Sequence, residues 1–193
     1  MLQRVIEFLR TIGLQVTERP SVTGFIPGVC IVDGALLVDT AMTTPSNLLH
    51  EAGHLATIPG AYRSAIQTDV SEGVGAMLDD LRSRDLHPDH PLNRAALHCS
   101  DVEATAWAYA AGIHLGLPAE KIIEDQDYDG DGASVRSMLH MGQYFGIHGL
   151  AHAGFCAVND RVAKYTGLPA YPTIAMWLQH EDFGNSLQST KAA

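Results

Sequence analysis

The pentapeptide "HEAGH" (His50, Glu51, His54) holds the residues of this chain best suited to chemistry. On a helix, positions i and i+4 lie on one face about a turn apart, so both imidazoles can address a single ion. The distances they would need are the roughly 2.0–2.1 Å of zinc–nitrogen bonds. Glu51 is rotated by about 100° from His50, at the edge of that face, where a carboxylate reaches a water on the ion without displacing it. The competing reading is three ordinary polar residues on a helix. Composition helps to weigh the two: with 10 histidines in 193 residues, shuffling the chain yields His-Glu-x-x-His in about 2% of cases, but about 0.5 His-x-x-x-His pairs per chain. "HEAGH" is therefore informative, whereas "HGLAH" (His148, His152) is not.

A helix must carry the motif, and the flanking residues specify one. Thr44 is a suitable N-cap, and Pro45 fits the first helical position, where its missing N–H costs nothing. Pro59-Gly60 supplies the stop. Leu48, Ala52 and Leu55 give the helix an apolar side for the core, and Gly53 allows another backbone to approach closely. An ion needs at least one more protein ligand. Glu103 in "SDVEATAWAYAAG" is the expected one, on a helical face shared with Ala106, Trp107 and Ala110. The run Ser100-Asp101-Val102-Glu103 also fits a capping box, in which Glu103 would fold back on Ser100. Helical pattern from Leu92 to His98 places residue 100 inside a longer helix over 92–115 and favours the ligand reading.

The order of elements, a hairpin ending "GALLVDT", a capped helix with "HEAGH" and a later helix with "EATAWAYAAG", resembles the ImmA/IrrE family of zinc-peptidase-like domains within the gluzincins. The resemblance covers roughly residues 25–120. It implies Zn2+ held by His50, His54 and Glu103, with Glu51 as the catalytic general base and a peptide or protein as substrate. Thr105 stands where that family has asparagine, and a predicted helix at 62–84 lengthens the interval between the two metal-binding segments. The alternative function is a regulator or interaction module that keeps the zincin fold, with or without its ion, and does not hydrolyse. His140, His148, His152 and Tyr144 are candidate oxyanion donors, with a buried core histidine as the bland reading of each imidazole.

The remaining elements frame this site. Val5, Ile6, Leu9 and Ile12 form the stripe of a first helix stopped at Gly13. "GVCIVDGALLVDT" reads as two strands about an Asp33-Gly34 turn. Ile66, Val70, Val74, Met77 and Leu81 recur at helical spacing, and two or three helices follow residue 134, separated at Gly146, Gly167 and Pro169. The expectation is one α+β, predominantly helical, zincin-like domain over 1–193, with a small N-terminal antiparallel sheet and a frayed tail from 185. The acidic loop "DQDYDGDGASVR" carries aspartates at the first, third and fifth positions of a calcium loop and a glycine at the sixth. Its twelfth position is Arg136, not the required glutamate.

Net charge of −10 and a pI of about 5.3 oppose nucleic-acid or anionic-membrane partners. Three unpaired cysteines, no run as long as a membrane span, and Glu7 and Arg10 within the first apolar stretch predict a cytoplasmic protein. Cys99, one turn before Glu103, is a further group that could approach the ion, against an inert buried thiol.

Overall fold

The computed structural model describes residues 1–181 and 183; the expected frayed tail lies outside them. Among the described residues the chain is mixed α+β. Helix α1 (Leu2–Thr11) leads into β1 (Val16–Glu18), β2 (Val29–Val32) and β3 (Ala35–Val38). Nine helices follow: α2 (Pro45–Thr57), α3 (Gly60–Arg63), α4 (Val70–Ser83), α5 (Pro91–Ala96), α6 (Asp101–His114), α7 (Ala119–Ile122), α8 (Gly132–His140), α9 (Phe145–His152) and α10 (Asp160–Thr166). A 3-10 turn at Asp125–Tyr128 separates α7 from α8.

The strands run in the order β1-β3-β2. β2 and β3 form the expected hairpin, with Val32 opposite Ala35. Asp33 (φ +50°) and Gly34 (φ +71°) turn it in the left-handed region that a two-residue hairpin needs. β1 pairs in parallel with β3, Val16 opposite Leu36, so the sheet is mixed and not purely antiparallel as expected. The sequence pattern marks the hairpin, but nothing local in "QVTER" shows that this segment adds to the far side of β3.

Two segments depart from the helices that periodicity predicts. Ile66 does not continue α4: it lies in the link before that helix, fully buried, and Asp69 caps α4 by accepting from Ser71 N–H at 3.0 Å. The expected helix over 92–115 is broken. α5 ends at Ala96, and α6 begins afresh at Asp101 with Ser100 as its N-cap. Further on, Gly146 lies inside α9, and the break before that helix falls at Gly142 (φ +69°).

α2 is the spine. Thr44 Oγ1 accepts from Asn47 N–H at 3.2 Å, with Pro45 following as expected. Leu48, Leu49, Ala52, Leu55 and Ala56 are fully buried. The Arg63 side chain donates to the carbonyls of Leu55 (2.8 Å) and Gln179 (3.1 Å), closing the C-terminal end of α2 against the returning chain. α2 packs most extensively on α6, and α6 in turn on α9. Both crossings use glycine: a Cβ on Gly53 would meet the carbonyl oxygen of Ala104 at 2.5 Å, and one on Gly146 would overlap the carbonyl of Val102. Among the described residues, no helix is long and apolar enough to cross a membrane.

Candidate metal centre

The crossing of α2 over α6 fixes where the site forms. With Gly53 seated on Ala104, the face of α2 that carries His50 and His54 opens onto the first turn of α6. There the carboxylate of Asp101 lies 3.2 Å from His54 Nε2 and 3.6 Å from His50 Nε2. The two imidazole rings stand edge to face, with centroids 4.9 Å apart. Among the described residues, His50, His54 and Asp101 are the group of histidine, cysteine and acidic side chains whose ligand atoms all lie close enough to share one ion, within 4.8 Å of one another.

Glu103, the ligand expected from the sequence, is not in that group. Its carboxylate accepts from the backbone N–H of Ser100 at 3.0 Å and from the Ser100 hydroxyl at 2.5 Å, and it lies 3.6 Å from His98 Nδ1. This is the capping box that the sequence also allowed. It exists because the helix restarts at residue 100, where four N–H groups need partners. Glu103 is buried toward α9, where a Cβ on Gly149 would overlap its carboxylate. The sequence signal for Asp101 lies in "SDVE": an acidic residue just after an N-cap, two residues before Glu103.

The donor set suits a divalent cation. Ligands on a tetrahedral zinc at about 2.0–2.1 Å lie about 3.4 Å apart; the two His–Asp101 separations of 3.2 and 3.6 Å bracket that spacing, and all three ligand atoms lie within 4.8 Å of one another. The two imidazoles, His50 and then His54, hold the Asp101 carboxyl well below the usual carboxylate range. A cation held there would take lone pairs from these same three atoms. The Asp101 side chain is 84% exposed and the imidazoles are mostly covered, so the group has one open, wet side.

Residues of α6 and the 3-10 turn hold the far side of His50. Thr105 Oγ1 lies 3.4 Å from His50 Nδ1 and 3.1 Å from the Tyr128 hydroxyl. An imidazole that ligates through Nε2 carries its proton on Nδ1, and Thr105 is placed to accept it. His54 Nδ1 is buried without a partner. Ser46, in the first turn of α2, donates to Asp127 at 2.7 Å and so ties the motif helix to the acidic loop. In the same loop Asp125 pairs with Arg136 at 2.8 Å. The calcium pattern thus meets a cation already supplied by the chain at its twelfth position.

Glu51 is buried and lines the same groove as the triad. Burial pushes its carboxyl above the usual range, against the opposing pull of His54 and His50. Cys99 also borders the groove, but its thiol donates to the Ala96 carbonyl, and burial, then Glu103, pushes it up to about 12. The inert reading fits it better than ligation. Three of the oxyanion candidates are not core histidines: His140, His148 and His152 are exposed, His152 stacking edge-on with His98 at 4.8 Å, and none borders the groove. Tyr144, half-buried at the head of α9, stays near the site: its hydroxyl interacts with Thr105, and burial, then the charges of Asp101 and Glu103, push its phenol up.

Compared with protein-family models, curated proteins and solved structures, the chain gives no significant match to any of them.

Proposed function

We propose that this chain is a zinc-dependent peptide hydrolase of the zincin kind, with His50, His54 and Asp101 as the ligands, an aspartate in the place of the gluzincins' glutamate, and Glu51 as general base. The observation that carries the reading is the convergence of two imidazole nitrogens and one carboxylate oxygen, all within 4.8 Å of one another, with the carboxylate 3.2 and 3.6 Å from the two nitrogens, in a groove that a buried glutamate also lines. Resemblance of the "HEAGH" and "EATAWAYAAG" segments to the ImmA/IrrE family supports it, with the carboxylate moved from residue 103 to residue 101. The zincin-like description of the fold belongs to the same proposal, as does a cytoplasmic setting, in which Cys30, Cys99 and Cys156 stay reduced.

Zinc bound there would polarise a scissile carbonyl and bring the pKa of water to about 7. The protein's own contribution is positional. Glu51 follows His50 directly, so its carboxylate stays beside the triad whenever α2 is helical. Its burial favours the protonated form, which makes it a better proton acceptor than a solvated carboxylate. It takes the proton of the attacking water and returns it to the leaving amine nitrogen. Thr105 holds His50 in the ring orientation that ligation requires.

Glu51→Gln tests the reading. Purified protein with one equivalent of zinc is assayed on a mixture of internally quenched peptides, with metal content measured alongside. The proposal expects hydrolysis by the natural chain and a loss of about 100-fold or more in the variant at unchanged metal content. Equal rates would remove Glu51 as base, and no hydrolysis by the zinc-loaded natural chain would favour the non-hydrolytic regulator.

A further inference from the structure

The groove that begins at the triad does not end there. It encloses about 790 Å³, within the roughly 300–1,000 Å³ of ligand clefts, and beyond the metal-binding group its walls turn apolar. One wall is α4, which presents Val70, Val74 and Leu78 at intervals of four residues, while Met77 and Leu81 face the core. The facing wall is Ala96 and Leu97 at the end of α5, and Phe25 and Ile26 close the side nearest β2. Phe25 is 94% and Leu97 63% exposed. Large apolar side chains left in water around one cleft mark a surface that an apolar ligand covers.

The polar part of the same groove has one sign. Its charged or titratable lining residues are His50, His54, Glu51, Asp69, Asp101 and the neutral thiol of Cys99, with neither lysine nor arginine among them. Asp69 is tied into the cap of α4 through Ser71, so its charge is fixed at the groove edge.

Building on the proposed hydrolase reading, we infer that the groove selects a peptide with one large aliphatic or aromatic side chain beside the scissile bond and no acidic residue flanking it. Val74, Leu78 and Leu97 are the specificity-determining residues. The apolar walls are continuous with the triad, so a side chain seated between α4 and Leu97 keeps its own backbone at the His50–His54–Asp101 group. Asp69, fixed at the groove edge away from the ion, disfavours an acidic flank and tolerates a neutral or basic one, whereas the charge of Asp101 would be taken up by the cation.

Fluorescence anisotropy on the Glu51→Gln protein, with and without added zinc, tests this independently of turnover. The probes are fluorescein-labelled octapeptides of alanine, glycine and lysine whose central residue is leucine, phenylalanine, glycine or aspartate. The leucine and phenylalanine peptides are expected to bind about tenfold or more tighter than the glycine peptide, the gain from taking one large apolar side chain out of water. The aspartate peptide should be weakest. Leu97→Asp, at an exposed position where folding is not at stake, and Leu78→Ala should each bring the preference to within about twofold of unity without changing metal content. Equal binding of leucine and glycine peptides, or an undiminished preference in both variants, overturns the inference. Selective binding with no hydrolysis by the natural chain would refute the hydrolase reading alone, and hydrolysis without selectivity would refute the groove assignment alone.

Discussion

Gly53 of α2 rests directly on the backbone of Ala104 in α6, with no space for a side chain between them. That contact sets both the separation and the rotation of the two helices, and it thereby decides which residues of α6 face the histidines. Asp101, Ala104 and Thr105, at spacings of three and four, form the face toward α2. Glu103 points away from it, toward Gly149 of α9.

Gly53→Ala should therefore act on stability and on metal together. The added methyl overpacks the crossing and is expected to cost about 1–3 kcal/mol. Because relief requires α6 to move off α2, zinc affinity should fall in parallel. Urea denaturation and a competitive zinc titration check the pair; a variant that loses stability but binds zinc as before would uncouple the crossing from the site.

Glu103→Ala is expected to weaken the protein without emptying the site. Loss of a reciprocal cap costs about 0.5–2 kcal/mol, and burial leaves His98 and the Ser100 N–H without their partner. Denaturant midpoints measured with and without zinc should drop by equal amounts, whereas removal of a ligand would erase the zinc-dependent increment.

Thr105→Val keeps the shape of the side chain and removes the hydroxyl beside His50 Nδ1. Loss of an outer-shell partner of this kind lowers metal affinity by about 10- to 100-fold, and Thr105→Ser should restore it. A zinc affinity unchanged in the valine variant would reduce Thr105 to packing.

Calcium should leave the melting temperature unchanged. Asp125 already pairs with Arg136, and Asp127 accepts from Ser46, so calcium would have to displace both, and the loop's twelfth position holds a guanidinium. A calcium-dependent rise in Tm would show that these pairs yield.

What was legible in the sequence was local. The cap at Thr44, the i, i+4 histidines, the glutamate between them and the close-approach glycine at 53 all concern one helix, whose periodicity alone orients them. The Asp33-Gly34 hairpin is equally local. The third ligand was not legible, because residues 101 and 103 differ by about 200° around a helix axis. Which of them meets α2 depends on where α6 starts and how it is rotated. The start was obscured by apolar periodicity running through Leu92–His98, and the rotation is set by Gly53, Gly146 and Gly149 on two other helices. Thr105, noted in the sequence as a departure from asparagine, acquires a role once His50 lies beside it. Pairing of β1 with β3 is likewise a long-range event without a local signature.

The most direct test of the central claim is elemental analysis of three proteins, each loaded with zinc and desalted: the natural chain, Asp101→Ala and Glu103→Ala. The account predicts about one zinc per chain in the natural protein and in the Glu103 variant, and little or none in the Asp101 variant. A natural chain that retains no zinc, or an Asp101→Ala protein that retains a full equivalent, would contradict it.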